Sequence, residues 1–186
     1  MDPRVNERRG KIRIRFSLMA NNIVNRVANS KLITFDLEEY YPKNTRMVID
    51  VSIWLFEGFI LKEKDFRQHL KNYNWQQYKN NYVALTCTTD AIIPAWAYML
   101  IATYLVGISK KTVVGDLTTL EQAIFYEIIE NLDISTFTNK PVIIKGCSNK
   151  PIPQTAYIQL IEKLQPVVKS IMFGEACSSV PLFKKK

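Results

Sequence analysis

From Tyr82 onward the chain alternates short apolar runs with longer amphipathic ones, and this order limits the fold more than any other feature. Strand-like Tyr82–Thr86 is followed by a helical stretch from Pro94 to Val106, and Thr112–Gly115 by one from Thr118 to Asn131. Val142–Lys145 is followed by a helix from Pro153 to Gln165, and Val167–Phe173 closes the series. In the second helix Leu117, Leu120, Ile124, Ile128 and Leu132 recur at spacings of three and four, the period of a helix with one buried stripe. Strands alternating with helices of this length predict an α/β fold: three layers, with a mostly parallel sheet and helices on both faces.

The part before Tyr82 is less regular. Residues 1–18 hold Arg4, Arg8, Arg9, Lys11, Arg13 and Arg15 with little that could join a core, and are read as a basic extension preceding a second Met at position 19. A single α/β domain is expected over 19–186, its regular alternation confined to 82–173. Ile23–Ala28 has a short helical pattern, Leu32–Leu37 and Met47–Val51 read as strands, and Tyr41–Asn44 reads as a turn. Phe66 and Leu70 lie four apart in the charged run 62–71, which predicts an amphipathic helix. Trp75 and Tyr78 are expected to pack down from the polar loop that follows.

All three cysteines follow a strand: Cys87 the first of the regular series, Cys147 the third and Cys177 the fourth. Each is followed directly by Thr or Ser. Pro94-Ala95-Trp96-Ala97-Tyr98 and Pro153-Gln154-Thr155-Ala156-Tyr157 share the word P-x-x-A-Y, seven residues after Cys87 and six after Cys147. Cys177 has a reduced version ending at Pro181. In open α/β sheets, sites form at the carboxyl ends of the strands. With a strand order of 2-1-3-4 the three thiols would end neighbouring strands about 4.8 Å apart and could reach one centre.

Loops of this kind place a thiol near N–H and O–H donors and a helix N-terminus, an environment that favours thiolate. Thiolates bind soft metals, so the expected site is a metal centre held by Cys87, Cys147 and Cys177, carrying an iron–sulfur cluster or zinc. A fourth ligand could come from water, Asp90, Glu175 or His69, although His69, the only histidine, is better explained as a surface residue. Two alternatives stay open. One is a thiol enzyme with Cys87 as nucleophile and Asp90 as acid or base; the other is a non-catalytic interaction module whose cysteines are ordinary core residues. Asp116 is expected to cap a helix. No G-x-G-x-x-G or Walker loop is present, so nucleotide binding is disfavoured.

The formal charge of +8 is concentrated at the ends: residues 1–18 carry +4 and Lys184–Lys186 add +3. That distribution predicts solvated tails and no specific nucleic-acid face. An odd number of widely spaced cysteines predicts a reducing, cytoplasmic setting without a disulfide framework. Ala91–Ser109 carries no charge. Pro94 and its place between two strands nevertheless predict a buried helix rather than a membrane span.

The words Ile23–Ala28, Leu61–Arg67, Tyr82–Asp90, Pro94–Leu100, Lys145–Ser148 and Ser170–Pro181 resemble the small bacterial family named domain of unknown function 2480, from about Met19 to the C-terminus. The resemblance implies a cytosolic single-domain protein. It also implies an association with iron–sulfur assembly proteins as partners, with no membrane partner and with a homo-oligomer compatible.

Overall fold

The computed structural model describes residues 32–146, 149–175 and 178–186. The expected extension 1–18, the short helix at 23–28, and both Cys147 and Cys177 lie outside the described residues. The strand and helix runs foreseen from Leu32 onward are present, in the order β1 (Ile33–Phe35), β2 (Arg46–Asp50), α1 (Glu63–Asn72), β3 (Tyr82–Thr86), α2 (Ala95–Leu105), β4 (Lys111–Val114), α3 (Leu117–Glu130), β5 (Pro141–Ile144), α4 (Gln154–Leu164), β6 (Ser170–Glu175) and β7 (Ser178–Lys184). The fold is α/β with mostly parallel strands, as expected. Trp75 and Tyr78 form a buried 3-10 turn ahead of β3.

The strand order differs from the 2-1-3-4 expectation, because the strands divide between two sheets. β2-β3-β4 form one and β1-β5-β6-β7 the other, with every pair parallel except β6–β7. The reason is that the two early strands flank β3 and β5. β2 pairs with β3 from Arg46↔Tyr82 to Asp50↔Thr86, and β1 pairs with β5 from Ile33↔Val142 to Phe35↔Ile144. Strands β3 and β5 are each central in their own sheet, so neither is the other's neighbour.

From α1 onward the two sheets follow one plan, related by a constant sequence offset of 59 (Pro94 to Pro153), while β1 and β2 fall outside that offset. Phe66 and Leu70 of α1 correspond to Phe125 and Ile129 of α3, and all four are buried. Asn80 and Asn139 both adopt positive φ, at 60° and 57°. Asn80 donates its N–H to the Ile108 carbonyl and Asn139 to the Val167 carbonyl, both at 2.8 Å. Lys110 donates to Asn81 and Lys169 to Lys140, both at 2.9 Å. Gly115, just after β4, and Gly174, near the end of β6, sit at φ +140° and +115°, conformations that a side chain would strain.

Helix α3 joins the copies. Its residues Leu120 and Ile124 pack on Ala84 of β3. Residues Phe125 and Ile129, about 140° further round the helix, join Val142, Ile144 and the α4 residues Leu160 and Leu164 in the second core. The opposite face of β3 presents Val83 and Leu85 to α1 and α2 through Phe66, Leu70, Ile101 and Leu105. Period-two alternation in β3 therefore places helices on both faces of the first sheet.

Candidate functional site

At the carboxyl end of the first sheet, Asp50 closes β2 and caps the 3-10 turn that follows by accepting from the Ser52 N–H at 2.9 Å. The same carboxylate reaches the next strand end, accepting from the Thr88 N–H at 3.2 Å and the Thr88 hydroxyl at 2.5 Å. Burial opposes the charge on Asp50, but the Thr88 hydroxyl, the Ser52 N–H and hydroxyl, and the Thr88 N–H together hold its carboxyl below the ordinary value. Tyr98, in the first turns of α2, faces the same corner. Burial first, then the nearby Cys87 and Asp50, push its phenol up.

Cys87 lies half-buried in this corner. Its Sγ donates to the Thr89 carbonyl at 3.5 Å and lies 3.4 Å from the Thr89 hydroxyl. That hydroxyl has a single hydrogen, which it gives to the Gly58 carbonyl at 2.8 Å. It therefore accepts from the thiol. The thiol has one hydrogen, so the two Thr89 oxygens share it. Asp90, offered as a ligand or as an acid or base, is exposed, and so is His69 on α1.

The second sheet repeats the corner with different chemistry. Asp36 closes β1 as Asp50 closes β2, accepting from the Glu38 N–H at 2.9 Å. Its carboxylate pairs with Lys145 at 2.7 Å. Burial of Asp36 is outweighed by the hydrogen bond and charge of Lys145 and by the Glu38 N–H, and the carboxyl titrates below its ordinary value. Lys145 is raised by the Asp36 hydrogen bond and charge, with smaller effects from Glu175 and Glu38. Glu38 also accepts from the backbone N–H groups of Asn149 and Lys150. The edge from which the segments bearing Cys147 and Cys177 depart is thus rich in carboxylates.

The copies also correct the equivalence drawn between cysteines. At the constant offset, Cys87 corresponds to Gly146, and Cys147 to Thr88. A β-carbon at Gly146 would lie 3.0 Å from the Phe173 ring, which leaves that position to glycine. Of the three thiols only Cys87 is among the described residues, and its strand belongs to the sheet that β5 and β6 do not share. Among the described residues no three His, Cys, Asp or Glu side chains are placed to hold a metal ion.

Sequence reasoning missed the polar strut between the copies. Arg46, at the start of β2, bonds Glu121 of α3 through Nε at 2.5 Å and Nη2 at 3.2 Å, and the Pro42 and Asn44 carbonyls through Nη1. Its guanidinium lies 4.2 Å from the Tyr41 ring centroid, and the Tyr41 hydroxyl donates to Glu121 at 3.3 Å. A cleft of about 500 Å3 opens beside this group, lined also by Leu117, Ile152 and Pro153. Four of the five guanidinium N–H groups are engaged within the protein, so Arg46 acts as a strut.

A family model described as "Protein of unknown function (DUF2480)" matches residues 21–185. The chain belongs to this family. No curated protein and no solved structure matches it. Among the described residues no helix is long and apolar enough to cross a membrane. The uncharged run from Ala91 contributes the 11-residue α2, whose Ala97, Ile101 and Leu105 are buried in the first core.

Proposed function

We propose that this member of the DUF2480 family is a metal-binding protein, its ligands Cys87, Cys147 and Cys177 and its cargo an iron–sulfur cluster or zinc. The observation that carries the reading is the parallel pairing of β5 with β6, in register from Pro141↔Ser170 to Ile144↔Phe173. Cys147 follows Ile144 by three residues and Cys177 follows Phe173 by four, so two thiol-bearing segments leave neighbouring strands at one edge. Those two cysteines form the centre of the proposed ligand set. Cys87 is its peripheral member, because β3, the strand it follows, belongs to the other sheet. Thiolate ligation of this kind suits a reducing compartment such as the cytoplasm, where iron–sulfur assembly proteins would be the partners of such a protein.

Anaerobic purification followed by metal and acid-labile sulfide analysis and a visible spectrum tests the reading. Bound iron or zinc is expected in the full chain, lost in Cys147→Ser and Cys177→Ser and weakened in Cys87→Ser. Metal-free, colourless protein whose three thiols all alkylate freely in the folded state would overturn it. The alternative thiol enzyme with Cys87 as nucleophile draws no support from the nearby carboxylates, since Asp90 is exposed and Asp50 is engaged by Ser52 and Thr88.

A further inference from the structure

The two copies differ in how their outer strands are finished. In the second copy β7 runs antiparallel along β6, pairing Ile171 with Phe183 and Phe173 with Val180, and its Phe183 packs against the second core. At the offset of 59, Ile171 and Phe173 correspond to Thr112 and Val114 of β4. Among the described residues β4 pairs on one side only, with β3. Between α2 and β4 there is a groove of about 380 Å3, lined by Tyr98, Met99, Ala102, Thr112 and Val114 among others. Met99 and Val114 are 66% and 55% exposed, and Val106 at the end of α2 is 80% exposed. Helix α2 therefore carries an apolar stripe beside an open strand edge, where a surface helix ordinarily presents polar residues.

We infer that β4 is a homodimer interface, pairing antiparallel with β4 of a second copy about a two-fold axis at Val113. The backbone is self-complementary for this pairing. Gly115 gives its N–H to Leu85 of β3 at 2.9 Å, so by alternation Lys111, Val113 and Gly115 face β3, while Thr112 and Val114 direct their N–H and C=O groups outward. Centring on Val113 sets Thr112 opposite Val114 of the second copy as a hydrogen-bonded pair, and the two-fold axis repeats that pair. The charges match in the same register, because Lys110 falls opposite the exposed Asp116 of the other copy. A two-fold axis perpendicular to the sheet keeps both α2 helices on one face, bringing Met99 and Ala102 of the two copies toward each other and closing the groove. The partner is thus a second copy of this chain, and the result is a continuous six-stranded sheet.

Sedimentation velocity on the full chain tests the interface, independently of any metal. At micromolar loading the wild type is expected at twice the chain mass. Val114→Pro removes an N–H that faces away from β3, a substitution edge strands accept, and is expected to sediment as a single chain with an unchanged far-UV spectrum. Val114→Lys places a charge in the groove and is expected to do the same, which keeps the test decisive should the proline variant fail to fold. A single-chain wild type, or a dimer that survives Val114→Lys, would overturn the inference.

Discussion

Asp36 and Asp50 show how much one residue can settle. Each ends a strand, caps a 3-10 turn, and ties its strand to the end of the neighbouring central strand, Asp36 through Lys145 and Asp50 through Thr88. Replacing either with Ala removes a cap and a cross-strand tie, and is expected to cost about 1–2 kcal/mol in urea denaturation. The pH dependence follows from the lowered carboxyl values. Because folding depresses both, their contribution is fully present above the ordinary value of 3.8 and is lost as pH falls through the lower folded values. Thermal melts from neutral pH down to about pH 2 should show Asp36→Asn and Asp50→Asn flattening the acid limb relative to wild type. Lys145 acts at the other end: its raised value makes its contribution present below 10.5 and lost as pH rises through the folded value.

The two asparagines at positive φ test the duplication in the same way. Asn80→Ala and Asn139→Ala should each lose about 1–2 kcal/mol, since a β-carbon disfavours the left-handed region and asparagine tolerates it. The glycine variants should match or exceed wild type. Unequal penalties at the two positions, read from denaturation midpoints, would argue against the equivalence of the turns.

Helix α3 carries the largest energetic weight among the elements. It supplies Leu120 and Ile124 to the first sheet and Phe125 and Ile129 to the second core, so two apolar stripes share one helix. Truncating Phe125 to Ala should cost about 3–5 kcal/mol, and Phe66→Ala in α1 a comparable amount, because each is a fully buried ring in an equivalent place. Loss of cooperative thermal unfolding in Phe125→Ala would be the visible result. At the same joint, Glu121→Gln keeps the shape while removing the charge that Arg46 engages from two nitrogens. The expected loss is about 1.5–3 kcal/mol, the range for hydrogen bonds to charged groups, measured by denaturant titration.

For the whole molecule the distinguishing element is β7, the one antiparallel strand among the described residues. It covers β6 and contributes Phe183 to the second core. A chain ending at Glu175 should expose the backbone groups of Ile171 and Phe173 and associate through that edge. Light scattering of the truncated chain beside the full one checks this, with unchanged mass and melting temperature as the contrary outcome. The sequence marks only Lys184–Lys186 as a basic, solvated end and gives no strand signal over 178–183. The alternation of that stretch is obscured by Pro181 and by the register shift between Ile171 and Met172, and it becomes a strand because β6 offers it an edge.

Local patterns in the chain determined the identity of nearly every element from Leu32 onward: the period of α3, the apolar runs of β3 and β5, and the Phe66–Leu70 edge of α1 are all set by residues close together in sequence. The P-x-x-A-Y word already marked the duplication, and aligning the chain with itself at a constant offset would have extended that match and moved Cys147 opposite Thr88. Tertiary structure alone decided which strands pair. Parallel neighbours are joined by contacts distant in sequence, and the short early strands β1 and β2 carry no local mark of whether they border β3, β5 or each other. The 2-1-3-4 strand order behind the three-cysteine expectation is corrected for that reason. Its premise was an adjacency of β3 and β5, whereas each of these strands is flanked on both sides within its own sheet.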